Sequence, residues 1–327
     1  MLIYVPPGQE MTVNFSPRTD LPCKTCWFGE KNSNLNNWHT DCLLLFVRSL
    51  SCAILFFVTA LLQVSAAPAT LAEFPFEFRE GMLWVQVTVP QSEKPLNFLL
   101  DTGAGASVIN LNTAKCVGLK LGEAITVRGV QTTLAGYWLD PMSARAGDVQ
   151  LPREYLAVDL EKLGKACNCC VDGLIGADFF RDKVVQIDFT AQKIRILDHT
   201  EKSDETLPLE LRPCGMRLPI TVDGHKRQWV RLDTGCASSL QWVTSDVRLD
   251  QCSRQTAIGL TAISIPQTQT TVNIGKQEFE KVPTGLHEKA IFAGEAGLLG
   301  NGLLSHFSSV TIDAHAGRLF LQKRSLD

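Results

Sequence analysis

From residue 74 onward, short apolar runs with a two-residue period alternate with turn residues, the pattern of strands that bury one face. Phe74-Pro75-Phe76-Glu77-Phe78 reads as an edge strand, and residues 82–89 with 96–100 read as a hairpin. Residues 110–117 read as a short turn or strand end. Ile125-Thr126-Val127-Arg128-Gly129-Val130 and Leu134-Ala135-Gly136-Tyr137-Trp138-Leu139 predict a second hairpin. Strands are expected at 156–160, 184–187 and 193–197. The stretch His199-Thr200-Glu201-Lys202-Ser203-Asp204-Glu205-Thr206 is charged and lacks an apolar period, so 199–212 reads as a linker between two lobes, 67–198 and 213–327. The second lobe opens on Leu218-Pro219-Ile220-Thr221-Val222, turns at Asp223-Gly224 and returns through 228–232. Its further strands fall near 257–261, 282–286, 310–312 and 318–321. Glycine is plentiful and no long amphipathic helix stands out, so the fold class is all-β.

Two stretches stand apart from this pattern. Phe98-Leu99-Leu100-Asp101-Thr102-Gly103-Ala104-Gly105-Ala106-Ser107 carries an apolar strand straight into a carboxylate, a hydroxyl and a run of small residues. Trp229-Val230-Arg231-Leu232-Asp233-Thr234-Gly235-Cys236-Ala237-Ser238 does the same in the second half. Downstream of the first lies Asp172-Gly173-Leu174-Ile175-Gly176-Ala177-Asp178-Phe179-Phe180, then Val184-Val185-Gln186-Ile187-Asp188. Downstream of the second lies Gly297-Leu298-Leu299-Gly300-Asn301-Gly302-Leu303-Leu304, then Ser309-Val310-Thr311-Ile312-Asp313. Matching order and spacing in both halves mark a tandem duplication of one β-rich unit.

The paired Asp-Thr-Gly loops and apolar-apolar-Gly strands resemble the aspartic protease superfamily of pepsins and retropepsins. The Gly-Leu-Ile-Gly-Ala-Asp-Phe-Phe phrasing is similar to the retropepsin-like aspartyl proteases of bacteria, and the likeness covers residues 74 to 323. It implies two similar pepsin- or retropepsin-like β-barrel lobes with the active site in the cleft between them. It implies that Asp101 and Asp233 are catalytic, supported by Thr102, Gly103, Thr234 and Gly235. Ser107 and Ser238 resemble positions that back the loops. The resemblance makes the 125–139 hairpin a flap, with Gly129, Tyr137 and Trp138 against substrate; the other reading is a surface hairpin with two aromatics facing the core.

The chemistry suits those residue types. Two carboxylates about 3 Å apart cannot both ionise cheaply, so they share one proton: one takes a proton from water, the other gives one to a peptide carbonyl. Competing catalytic inventories are missing, since there is no Gly-x-Ser-x-Gly elbow and no His-Glu-x-x-His helix. His225, His287, His306 and His315 are scattered and read as surface or turn residues. A nucleophilic Cys236 with a histidine would leave both aspartates unexplained. No metal or other cofactor is expected. The alternative of another class is a peptide-binding module of the same fold that does not cut. Loss of an aspartate or glycine would mark it, and all four are present.

Net charge is −3 and basic residues are scattered, which argues against a nucleic-acid partner. The expected partner is a peptide or protein substrate, met by a monomer because both half-sites lie on one chain. Residues 43–66 read as a signal peptide, with Val64-Ser65-Ala66 as a small-residue cleavage site, or else as a membrane anchor. Export to a periplasm or the cell exterior follows, with a membrane partner only if 43–64 stays uncleaved. Residues 1–42 lack an apolar period and read as a disordered or untranslated extension, with translation starting near Val47. Beyond the cleavage site lie Cys116, Cys167, Cys169, Cys170, Cys214, Cys236 and Cys252. Disulfides are expected around Cys167-Asn168-Cys169-Cys170, with Cys236 as the free thiol.

Overall fold

The computed structural model describes residues 67–129, 132–200, 202–244, 253–258 and 262–324. The expected extension and signal or anchor, 1–42 and 43–66, lie outside the described residues, as does Cys252. From Pro68 onward the chain forms one compact unit. Among the described residues no helix is long and apolar enough to cross a membrane.

The first half contributes β1 (Thr70–Pro75), β2 (Glu77–Arg79), β3 (Met82–Val87), β4 (Leu96–Leu100), β5 (Val108–Asn110), β6 (Leu121–Gly129) and β7 (Thr132–Leu139). There follow β8 (Arg145–Ala146), β9 (Val149–Gln150), β10 (Leu156–Val158), β11 (Gly173–Ile175), β12 (Val184–Asp188) and β13 (Lys193–Leu197). The second half contributes β14 (Glu205–Pro208), β15 (Glu210–Arg212), β16 (Gly215–Val222), β17 (Gln228–Asp233), β18 (Leu240–Val243) and β19 (Ser253–Ile258). It ends with β20 (Ala262–Ile274), β21 (Gln277–His287), β22 (Gly297–Gly300), β23 (Phe307–Asp313) and β24 (Arg318–Lys323).

The duplication is written into the strand order. One eight-stranded sheet runs β2-β3-β4-β11-β5-β10-β7-β6 and the other β15-β16-β17-β22-β18-β21-β20-β19. Each strand of one sheet has its counterpart at the same place in the other, and pairing senses agree. Thus β4 lies parallel to β11 as β17 does to β22, and β5 parallel to β10 as β18 does to β21. Strands flanked on both sides read as apolar runs where both of their faces are covered, as Phe98-Leu99-Leu100 of β4 does.

A third sheet, β1-β13-β12-β23-β24-β14, joins the halves through the antiparallel pair β12–β23. The strands expected to finish each lobe separately therefore pair with one another. The expected linker 199–212 is corrected too: Glu205–Pro208 pairs with β24 and Glu210–Arg212 with β16. Its alternation was hidden by a charged residue on the buried face, where Glu205 lies with Leu207 and Leu209.

Four other local expectations change. The edge strand at 74–78 divides at buried Phe76, β1 joining the third sheet and β2 the first. Residues 110–117 hold the helix Leu111–Cys116, capped by the Asn110 side chain on the Asn112 N–H. At six residues it is too short to show a helical period. The strand expected at 156–160 ends at Val158, and a second short helix, Glu161–Ala166, leads into the cysteine loop. No disulfide staples that loop: Cys167, Cys169 and Cys170 are unbonded, as are Cys116, Cys214 and Cys236. Backbone bonds hold it instead, with the Cys169 N–H on Gly164 O at 3.1 Å, and Cys167 and Cys169 pack against the apolar cluster around Trp84 and Leu174.

Candidate active site

Strands β4 and β17 deliver Asp101 and Asp233 to the place where the two eight-stranded sheets meet. Both carboxyls are fully buried. The Gly103 and Ala104 N–H groups donate to Asp101 Oδ1 at 3.0 and 3.1 Å, and the Gly235 N–H donates to Asp233 Oδ1 at 3.0 Å. Each glycine also makes room for the opposite acid. A Cβ on Gly103 would stand 2.5 Å from Asp233 Oδ1, and one on Gly235 would stand 2.5 Å from Asp101 Oδ1. The two loops are therefore packed face to face.

The threonines tie them together. Thr102 Oγ1 donates to Leu232 O at 2.8 Å and accepts the Thr234 N–H at 3.0 Å. Thr234 Oγ1 donates to Leu100 O at 2.8 Å and accepts the Thr102 N–H at 3.0 Å. Four reciprocal hydrogen bonds between buried groups fix one loop against the other with near two-fold symmetry.

Burial, followed by the charge of Asp233 and its hydrogen bond, pushes the Asp101 carboxyl up to about 7. Asp101 therefore keeps its proton to a pH well above the ordinary carboxyl range. The stability consequence has a definite sign. A carboxyl whose pKa is raised by folding binds its proton more tightly in the native state, so stability is greatest at low pH and falls as pH rises from about 4 to about 7. Asp101→Asn removes that dependence. Thermal unfolding of both proteins across this range is expected to show a falling Tm in the wild type and a flatter one in the variant.

The supports behind the loops differ between the halves. Ser107 Oγ donates to Asp178 Oδ1 at 2.8 Å and accepts the Gly176 N–H at 3.1 Å. Gly302 occupies the place of Asp178, packed against Ser239, and Asn301 does the bracing. The Asn301 Nδ2 donates to Thr234 O at 2.6 Å and across to Gly81 O at 2.7 Å. Ser238 belongs to a different chain of contacts. Cys236 Sγ lies 3.1 Å from Ser238 Oγ, Gln241 Nε2 donates to that oxygen at 2.7 Å, and His287 Nε2 meets Gln241 Oε1 at 2.7 Å. His287 is buried, not the surface residue expected, and burial lowers its pKa. Burial and the Asp233 charge push the Cys236 thiol up to about 11, so it stays protonated and a poor nucleophile.

Sequence reading also missed Arg231, the largest fully buried side chain. Its guanidinium pairs with Glu295 through Nε–Oε2 at 2.7 Å and Nη2–Oε1 at 2.6 Å, and lies 4.3 Å over the Phe292 ring. Burial opposes its charge, but the ion pair outweighs it and the net pKa shift is upward. Strand alternation carried the signal, since Arg231 shares a face with Asp233.

The structure brings together Asp101, Thr102, Gly103, Asp233, Thr234 and Gly235. It places Gly129, Tyr137 and Trp138 outside that cluster, on the β6–β7 hairpin. Gly129 pairs with Thr132 beside the turn, while Tyr137 and Trp138 lie toward the other end of β7, each half-buried against a core cluster. Ile125 and Val127, on the underside of the same hairpin, pack in one cluster with Ala104.

Two buried, hydrogen-bonded carboxyls on paired glycine turns are equipment for moving protons to and from a bound group. Residues 85–179 match the family model described as aspartyl protease, which supports an aspartyl protease family and, with it, a hydrolase. The matched stretch contains Asp101-Thr102-Gly103 and ends before the second half begins. No curated protein matches the chain.

Proposed function

We propose that this chain is an aspartic endopeptidase of pepsin and retropepsin type, built from two lobes of one polypeptide. The observation that carries the reading is the reciprocal threonine lattice, which sets two aspartates from duplicated loops against each other. The ionised carboxylate takes a proton from a water lying between Asp101 and Asp233. The other acid protonates the scissile carbonyl; the resulting diol collapses as the acid that took water's proton passes it to the leaving nitrogen and a diol hydroxyl returns its proton to the other carboxylate. Because each carboxyl can play either part, the pair returns to its starting state with one proton after each turnover. The 125–139 hairpin acts as the flap, with Gly129 beside its turn over the substrate and Tyr137 and Trp138 anchoring its base in the core. Export from the cytoplasm accounts for the apolar 43–66 segment.

The test is incubation of the purified chain with denatured protein, with and without a statine-type pseudopeptide. Internal cleavage blocked by the pseudopeptide supports the proposal. Tight binding of the pseudopeptide without cleavage would replace it with a non-cutting peptide-binding module. Activity per mole is expected to stay constant on dilution into the nanomolar range, measured by a fluorogenic peptide, since both aspartates lie on one chain. A fall would point to an obligate dimer.

The residue after each Asp-Thr-Gly bears on the pH range. Ala104 has no hydroxyl, and the Cys236 thiol is engaged with Ser238. A hydroxyl at 104 would give Asp101 another donor, and hydrogen bonds to the ionised form lower a carboxyl pKa. Ala104→Ser is therefore expected to move the acid limb of kcat/KM to lower pH, by about half a unit to one unit. An unchanged limb in the pH profile would remove this residue from the account.

A further inference from the structure

The guanidinium of Arg231 belongs to the second half of the chain, yet one edge of it serves the first aspartate. All five of its N–H donors are used. Nε and one Nη2 hydrogen go to Glu295, and the other Nη2 hydrogen goes to Cys214 Sγ at 3.4 Å. The Nη1 hydrogens go to Cys214 O and, at 3.2 Å, to Gly103 O. Gly215 keeps the space open: its φ is +136°, and a Cβ there would stand 2.9 Å from Nη1. Gly105 packs on the same segment, where a Cβ would meet Pro213 O at 2.6 Å. The first loop, residues 213–215 and Arg231 are thus stacked in sequence.

The contact with Gly103 O matters because of what lies at the other end of that peptide. The Gly103–Ala104 peptide carries the Ala104 N–H, which donates to Asp101 Oδ1 at 3.1 Å. One planar group therefore has a cation on its oxygen and a carboxylate on its hydrogen. Its dipole is aligned by both, and each contact strengthens the other. The duplication is broken at this point, for Leu99 stands where Arg231 would stand in the first half and can supply no such contact to the Gly235–Cys236 peptide.

We propose that Arg231, fixed by Glu295, is a positioning residue for Asp101: it clamps the Gly103–Ala104 peptide so that the Ala104 N–H is held on the Asp101 carboxylate, which favours the ionised form of Asp101 against the burial that opposes it. Arg231 reaches Asp101 alone, through that peptide. Among the described residues, the other ionisable groups around Asp101 are Asp233 across the interface, Cys236 beside Asp233, Cys214 and Glu295 around the guanidinium, and Asp178 behind Ser107. None of them reaches the Gly103–Ala104 peptide with a cation.

This inference rests on the proposed proteolytic reading only for its kinetic readout. Arg231→Leu combined with Glu295→Leu removes both charges and leaves neither buried alone. Arg231→Gln with Glu295→Gln is the more conservative pair should the first not fold. Two measurements are made on the wild type and the variant: kcat/KM against pH, and the carboxyl titration of Asp101 and Asp233 by 13C NMR. The expected result is an acid limb raised by about half a unit to one unit, roughly a three- to tenfold loss of kcat/KM on that limb, with KM little changed. The Asp101 titration moves up with it and the Asp233 titration does not. A lowered Tm with both the limb and the Asp101 titration unchanged would show Arg231 to be structural only and overturn the proposal. If the wild type cleaves no peptide, the proteolytic reading falls, and the Asp101 titration alone decides this one.

Discussion

Asp101→Asn and Asp233→Asn are each expected to reduce peptide cleavage by at least about a thousandfold, while the protein still folds. The amide has nearly the carboxyl's shape, so the Gly103 and Gly235 contacts are kept. It cannot accept a proton from water, and it cannot give one to a carbonyl at a useful rate. The acids act as a unit, so the double variant should be little worse than either single one. Stability moves the other way. Burying a neutral amide avoids the mutual repulsion of two carboxyls, so above pH 7 the single variants should unfold no earlier than the wild type. Progress curves with a fluorogenic peptide and thermal unfolding on the same samples check both halves of this expectation. Appreciable cleavage by either variant would show that the two acids do not share the work.

The second large effect concerns the lattice that holds the acids in place. Thr102→Val keeps the volume but deletes the donor to Leu232 O and the acceptor of the Thr234 N–H. Two backbone groups are then buried without partners, at a cost of about 2–4 kcal/mol in all. For a unit of this size that is a fall in Tm of roughly 5–15 °C. Thr234→Val should behave alike, because its bonds to Leu100 O and the Thr102 N–H mirror the first set. Thr→Ser at either position keeps the hydroxyl and should retain most of the stability. Calorimetry of the four variants tests this: equal loss in Ser and Val variants would mean that the methyl group, not the hydrogen bonds, carries the effect.

Much of the architecture was legible before any coordinates. The repeated apolar strand, Asp-Thr-Gly and apolar-apolar-Gly segments predicted a duplicated β unit, and the two sheets share one strand order. Hairpins such as β3–β4 were readable because their period is local. The joining sheet was not: whether Val184–Asp188 pairs within its own half or with Phe307–Asp313 depends on contacts more than a hundred residues away, as its register with Asp313 shows. A charged residue on the buried face, Glu205, hid the strands at 205–212. Within the candidate site, the aspartates, threonines and glycines stood out as a motif. Asn301 and Arg231 did not, since each is a single polar residue in an apolar stretch and its contact with the other half, at Gly81 O or Gly103 O, is remote in sequence. Gly302, in the place of Asp178, likewise shows that duplicated halves can be braced by different chemistry.

The central claim is that two halves of one chain make one hydrolytic site, and stoichiometric inhibition tests it most directly. Peptide cleavage is followed while a tight statine-type pseudopeptide is titrated into the purified protein at a fixed, known concentration. The account predicts a linear fall to zero at one inhibitor per chain, the same at every protein concentration. An end point at one inhibitor per two chains, or cleavage that persists past saturation, would contradict it.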